Sequence, residues 1–250
     1  MQQPKLTFVH GFMGHSSDWS EVRAALPEYE TTAADIGVSS DWQASVQQLA
    51  DSMETPSVIV GYSMGARLSL GVALEYPQKC AALIFVSGNP GLESAEAREK
   101  RSQSDEQIAK QIEADALEPF LNQWYRASVF ATVPEGIRRA EIERKLTQSS
   151  SNWPAILRAN SVSRQPNYWP RLSELSMPTL AIAGEQDEKY RKIALRIESH
   201  SESQSIGNVK TQVIPNCGHI VHREQPAALV GAIREFVNGL RSKPESQPEA

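Results

Sequence analysis

The sequence predicts an α/β fold, a mostly parallel twisted sheet with helices on both faces and one helical insertion. Three observations carry this reading. Short apolar runs of strand length recur along the chain. Stretches with helical patterning separate them, and strand–helix–strand succession requires right-handed crossovers and hence parallel pairing. One long charged region lacks any strand signal.

In order, LTFV (6–9) reads as the first strand and ends at His10-Gly11. TTAADI (31–36) is a weaker strand ending near Asp35, and SVIVG (57–61) is a strong one. AALIFVSG (81–88), TLAIAG (179–184) and VKTQVIP (209–215) complete six. Helices are predicted over WSEVRAAL (19–26), WQASVQQLADSM (42–53), MGARLSLGVALEY (64–76), KYRKIALRIESH (189–200) and PAALVGAIREFVNGL (226–240). From Leu92 to about Leu172 only helical, charged segments occur, such as SAEAREKRSQSDEQIAKQI and EGIRRAEIERKL. This region reads as an ordinary surface subdomain or as a lid over a site. The expected organisation is a core of 1–91 and 173–241, a helical cap over 92–172, and a disordered Pro-, Glu- and Ser-rich tail over 242–250.

Composition bounds the function. At 250 residues the chain suits one α/β unit, and 40% hydrophobic with 22% charged residues describes a soluble globular protein. Lys plus Arg total 25 against 30 for Asp plus Glu, with no basic stripe, which argues against a nucleic-acid or membrane-surface partner. Cys80 and Cys217 sit in unrelated segments, so a reducing compartment fits better than a disulfide framework. There is no leader-like start and no apolar run of spanning length, and a cytoplasmic protein is expected. For oligomeric state, a monomer or a weak homo-oligomer stays open.

Gly61-Tyr62-Ser63-Met64-Gly65 matches G-x-S-x-G, with VIV before it and a helix after it. The tight strand-to-helix turn needs small residues around the serine, and the helix start offers N–H groups and a positive dipole end to an oxyanion. The plain alternative is a strand–turn–helix junction carrying a surface serine. A serine hydroxyl is nearly inert until a base takes its proton, and that base needs a carboxylate to orient it. His219, in PNCGHIVH after the last strand, is the candidate base, and Asp187, just past TLAIAG, is the candidate acid. Asp35 also ends a strand, but it precedes the serine and ranks second. His222 stands three residues from His219, yet no third ligand cluster accompanies the pair, so no metal site is expected. His10 is expected to support the loop HGFMGH. The backbone N–H groups of Phe12 and Met64 are the expected oxyanion donors.

These segments, HGF, GYSMG, a strand ending in GEQD and a late GH, resemble the α/β-hydrolase family over nearly the whole chain. One departure is IGVSS after Asp35, in place of a proline–glycine–histidine–glycine loop, which implies a shorter pocket wall there.

Arg67 lies four residues after Ser63, on the same helix face. Beside an apolar ester an unpaired guanidinium would be costly, whereas a carboxylate could be gripped bidentately. Alternatively Arg67 pairs with an acidic side chain and is structural. GYSMGAR, NPGLESAEAREKR, WYRASVFA, RQPNYWPRL, AGEQDEKY and CGHIVHREQP together resemble one branch of the family, the 2-succinyl-6-hydroxy-2,4-cyclohexadiene-1-carboxylate synthases of menaquinone or phylloquinone biosynthesis. That resemblance implies substrate-binding roles for Arg67, Arg101, Trp124 and Tyr62, and for Lys145 at a third cation position, with Arg144 adjacent to it. It also implies a small polycarboxylate substrate, elimination of pyruvate, and no cofactor. The rivals are a carboxylesterase or carbon–carbon bond hydrolase on the same triad, and a non-catalytic binder of this fold.

Overall fold

Six strands pair in parallel in the order β2-β1-β3-β4-β5-β6, in a computed structural model describing residues 3–114, 116–203 and 208–241. They are β1 (Leu6–Val9), β2 (Thr31–Ala34), β3 (Ser57–Tyr62), β4 (Cys80–Val86), β5 (Thr179–Gly184) and β6 (Val209–Ile214). The expected disordered tail over 242–250 lies outside the described residues.

The inner strands are largely apolar because both faces are covered, whereas the edge strands β2 (TTAA) and β6 (VKTQVI) are partly exposed and more polar. β1, β3 and β5 are buried at every position. Alternate residues still divide between two cores. Leu6, Phe8, Val58 and Val60 join one, packed under α1 (Ser20–Ala24) and α10 (Pro226–Arg241) through Val22, Leu229 and Ile233. Val9, Ile59, Leu83 and Phe85 join the other, under α2 (Trp42–Asp51), α3 (Met64–Glu75) and α8 (Glu188–Ser203) through Val46, Leu68 and Ile197. Each fully buried aliphatic side chain contributes about 1.5–3 kcal/mol, so these two cores dominate the stabilisation.

Between β4 and β5 the described residues contain no strand. They form α4 (Ala95–Ala114), α5 (Leu117–Trp124), α6 (Glu135–Leu146) and α7 (Trp153–Asn160). α4 buries only Asp105 and Ala109, which explains its charged, weakly patterned sequence. The region expected to be helical is therefore helical. Two details differ from the sequence reading. β4 stops at Val86 because Ser87 turns into the left-handed region, φ 49°. A four-residue helix, α9 (Val221–Glu224), follows the loop after β6 and is too short to leave a periodic signal. Parallel pairing brings the ends of β1, β3, β5 and β6 to one sheet edge, where α/β folds place their sites.

Candidate active site

Ser63 occupies the junction of β3 and α3 with φ 53° and ψ −110°, a strained geometry for a residue with a Cβ. Such strain costs on the order of 1–3 kcal/mol and persists only where the surroundings enforce it. The surroundings are Gly61 and Gly65. A Cβ on Gly65 would collide with the carbonyl oxygens of Val9 and His10, and one on Gly61 with Ser69 Oγ and Ala66 Cα. Gly65 thus lets α3 pack hard against the end of β1, and Gly61 lets it pack back on β3. The Ser63 hydroxyl makes no cap bond to its own helix.

Asp187 follows β5, and its Oδ2 lies 2.6 Å from Nδ1 of His219, both side chains being 4% exposed. His219 is gripped from several sides. Tyr190, Tyr62 and Phe130 place their rings 4.6, 5.5 and 5.8 Å from the imidazole. Ser87 Oγ donates to the His219 carbonyl at 3.3 Å, and the Glu224 carboxylate accepts from the N–H groups of Gly218 and Ile220, each at 2.7 Å. With Nδ1 committed to a carboxylate, Nε2 is left for a hydroxyl.

Ser63 and His219 line one cavity of about 60 Å³ with Phe12, Tyr62, Trp124, Tyr125, Phe130, Lys145 and His222. Trp124 stands edge-on to Phe12, ring centroids 5.6 Å apart. Met64 is the first residue of α3, so its N–H has no acceptor within the helix. Among the described residues neither it nor the Phe12 N–H is bonded to any carbonyl outside helices and strands. A larger groove of about 680 Å³ lies at the amino ends of β4 to β6 against α10, and contains none of the candidate residues.

His10, His222 and Asp35 do other work. The exposed Asp35 carboxylate accepts from Ser16 N at 2.5 Å and Ser16 Oγ at 2.9 Å, not from His219. His10 Nδ1 lies 2.8 Å from the Gly11 carbonyl, and Nε2 accepts from Ile36 N at 3.0 Å, tying down the loop that carries Phe12. His222 is buried between the Trp19 and Tyr62 rings at 4.8 and 4.6 Å. Burial, aided by Arg144 and Lys145 against the pull of Asp18, pushes its pKa down to about 3 and keeps it neutral.

The cations fall into two groups, and only one reaches the cavity. Lys145 lines it, 2% exposed, with Nζ 3.3 Å from Asp18 Oδ2. Asp18 also accepts from Arg144 at 2.9 Å, and Arg223 stands 3.6 Å away. Arg144 and Arg223 further share the buried Glu141. Arg144, the neighbour considered for the third cation, is thereby spent on two carboxylates.

Arg67 and Arg101 are not among the residues lining that cavity. Arg67 is 9% exposed; Nη1 donates to Gln165 Oε1 at 3.1 Å and Nη2 to the Asn160 carbonyl at 2.8 Å. Its guanidinium lies 5.3 Å from the Trp42 ring centroid. Among the described residues no carboxylate comes within salt-bridge distance of it, which removes the structural acid pair considered above. Burial, and then the like charge of Arg101, lower its pKa to about 10, so it is charged at neutral pH. The Arg67 N–H donates to the Ser63 carbonyl at 3.2 Å, one turn back along α3. Arg101 is paired with Asp105 at 2.8 Å.

Asp18, Glu141 and Tyr190 escaped the sequence reading. Asp18 sits in HSSDW, where an acid reads as a helix-start residue, and it does accept from His15 N at 3.2 Å. Its partners lie 126 and 127 residues away, and no local pattern announces them.

A family model described as the alpha/beta hydrolase family matches residues 8–232. A 2-succinyl-6-hydroxy-2,4-cyclohexadiene-1-carboxylate synthase of Enterobacter sp. (strain 638) is 32% identical, over 96% of this chain and 93% of that one. The protein of the same name from Escherichia coli O1:K1 / APEC is 28% identical, over 94% of both chains. Among solved structures, MenH from S. aureus superposes with a TM-score of 0.88 at 26% identity, covering 96% of each chain. A thermophilic esterase from Thermogutta terrifontis reaches 0.74 at 22% identity over 96% of this chain and 91% of that one, a likeness of fold alone. Strand order, the strained serine turn and these matches lead to one assignment: the chain belongs to the α/β-hydrolase family.

Proposed function

We propose that the protein is a carbon–oxygen lyase that eliminates pyruvate from 2-succinyl-5-enolpyruvyl-6-hydroxy-3-cyclohexene-1-carboxylate to give 2-succinyl-6-hydroxy-2,4-cyclohexadiene-1-carboxylate. The names of the similar proteins support this. The observation that carries it is the buried Arg67, bonded to no carboxylate and set one turn along α3 from Ser63, whose carbonyl accepts from the Arg67 N–H at 3.2 Å, beside the Asp187–His219 pair. A hydrolase of neutral esters has no use for such a charge, whose burial is costly.

In this reading His219, held by Asp187, takes the Ser63 proton, and the Ser63 oxygen removes the proton alpha to the succinyl ketone. The enolate oxygen is held by the N–H groups of Phe12 and Met64, aided by the positive end of α3. As the enolate electrons return, the ring double bond shifts and the C–O bond to the enolpyruvyl group breaks. The departing group takes up a proton and becomes pyruvate. Arg67, Arg101 and Lys145 would meet the carboxylates, with Tyr62 and Trp124 against the ring. Lys145 is a point charge, not a planar fork, so its grip is less directional than an arginine's.

The region 92–172 acts as a cap in this reading, over a core of 1–91 and 173–241. The cavity of about 60 Å³ holds about two waters at ~30 Å³ each, whereas ligand pockets run to about 300–1,000 Å³. A ring with three acidic arms therefore requires the cap to stand further out when bound. The two free, buried cysteines support a reducing, cytoplasmic setting. A coupled assay for pyruvate release from the enzymatically generated intermediate tests the proposal. Turnover with release of stoichiometric pyruvate is expected. Rapid hydrolysis of a neutral chromogenic ester without pyruvate release would overturn it.

A further inference from the structure

We infer that Gln165 is a positioning residue that fixes Arg67 through a neutral acceptor and so leaves its charge for an acidic ligand. The inference rests on the proposed function and extends it to a residue that touches no reacting atom.

Gln165 is fully buried, and its amide is used at both ends. Oε1 accepts from Arg67 Nη1 at 3.1 Å, and Nε2 donates to the Asn89 carbonyl at 3.0 Å. A carboxylate has no donor, so a glutamate here would set an oxygen against the Asn89 carbonyl. The Asn89 loop thus selects an amide. The backbone of the segment is also pinned, because Arg98 Nη1 donates to the carbonyls of Ser163 and Gln165 at 3.1 and 2.8 Å. The second acceptor for Arg67 is the Asn160 carbonyl, again neutral.

The nearby carboxylate is turned elsewhere. Asp105 influences Arg67 electrostatically, yet its oxygens are occupied by Arg101 Nε at 2.8 Å and Ser161 Oγ at 2.6 Å. Three arrangements thus keep acid away from Arg67: a buried amide, a backbone carbonyl, and a diverted aspartate. A buried guanidinium would ordinarily be paired, because an unpaired one raises the free energy of the fold. That cost is recovered when a ligand carboxylate arrives, since the guanidinium is already desolvated and aimed.

The test compares Gln165→Glu, Gln165→Met and Arg67→Met, with thermal melts and with kcat and KM for pyruvate release. Gln165→Glu supplies an internal carboxylate that competes with the ligand, so KM should rise at least tenfold with kcat within about threefold of wild type. Gln165→Met removes the acceptor but adds no charge, and its KM should rise at least threefold less. Equal KM values for the two Gln165 variants would overturn the inference, because geometry alone would then explain the effect. An unchanged KM in Gln165→Glu beside a raised KM in Arg67→Met would overturn it as well. Unchanged KM in Arg67→Met would instead remove Arg67 from the site, and the functional reading would fail first. Should Gln165→Glu not melt cooperatively, Gln165→Met carries the test: a several-fold rise in KM supports positioning, and a lowered Tm with wild-type KM contradicts it.

Discussion

Arg67 and Lys145 are both buried cations near the candidate active site, yet they live in opposite electrostatic worlds. Lys145 belongs to a cluster in which Asp18 and Glu141 serve Arg144, Arg223 and Lys145 itself. Arg67 is surrounded by an amide, a carbonyl and an indole, with Arg101 as a like-charged neighbour. The first arrangement holds elements together: the loop after β1, α6 and α9 meet at Asp18. The second ties α3 to Asn160 and Gln165 through neutral acceptors but leaves the charge uncompensated, which is intelligible as readiness for a ligand. Burial of a charge therefore does not announce how it is compensated: Lys145 both belongs to the cluster and lines the cavity, whereas Arg67 meets only neutral acceptors.

The largest expected effect tests the structural half of this contrast. Asp18→Ala leaves Lys145, Arg144 and Arg223 with one shared carboxylate, and should cost about 3–5 kcal/mol, or on the order of 10 °C in Tm. A Tm within 2 °C of wild type would show that the cluster does not bind these elements together. Arg67→Met should do the reverse. Its stability should fall less than that of Asp18→Ala, while kcat/KM for pyruvate release drops about 30- to 1,000-fold, equivalent to ~2–4 kcal/mol. A variant that melts early and turns over normally would reverse the two roles.

A smaller, pH-dependent effect sharpens the comparison. His222 lies against the Lys145 cluster with its pKa pushed down to about 3 by burial, below the ordinary value near 6.5. A depressed folded value means its contribution is present above about pH 6.5 and is lost as the pH falls toward 3, at up to about 1.4 kcal/mol per unit. Melting curves from pH 7 to pH 4.5 should therefore fall steeply for wild type and less for His222→Gln. Parallel slopes would place the titration elsewhere.

The fold was legible because two-sided burial gives strands such as SVIVGY a nearly continuous apolar run, and parallel connections leave helical stretches between them. Ser63, Asp187 and His219 were legible because each follows a strand end, and parallel topology carries strand ends to one edge. What could not be read was charge compensation. Nothing local in HSSDW points to Lys145, and nothing near Arg67 points to Gln165, 98 residues on. The helix-face argument placed Arg67 on the side of Ser63 but could not tell whether acid or amide would face it. α9 was missed because one turn has no period to detect.

On the proposed mechanism Ser63, made basic by His219, removes a proton from a ligand held by its carboxylates. Single-turnover pyruvate release by Ser63→Ala, measured beside equilibrium binding of the same intermediate, tests it most directly. Binding within a few-fold of wild type is expected, with release slowed by at least about 10³-fold, the scale of a lost general base and its partners. Wild-type release from the alanine variant would contradict it.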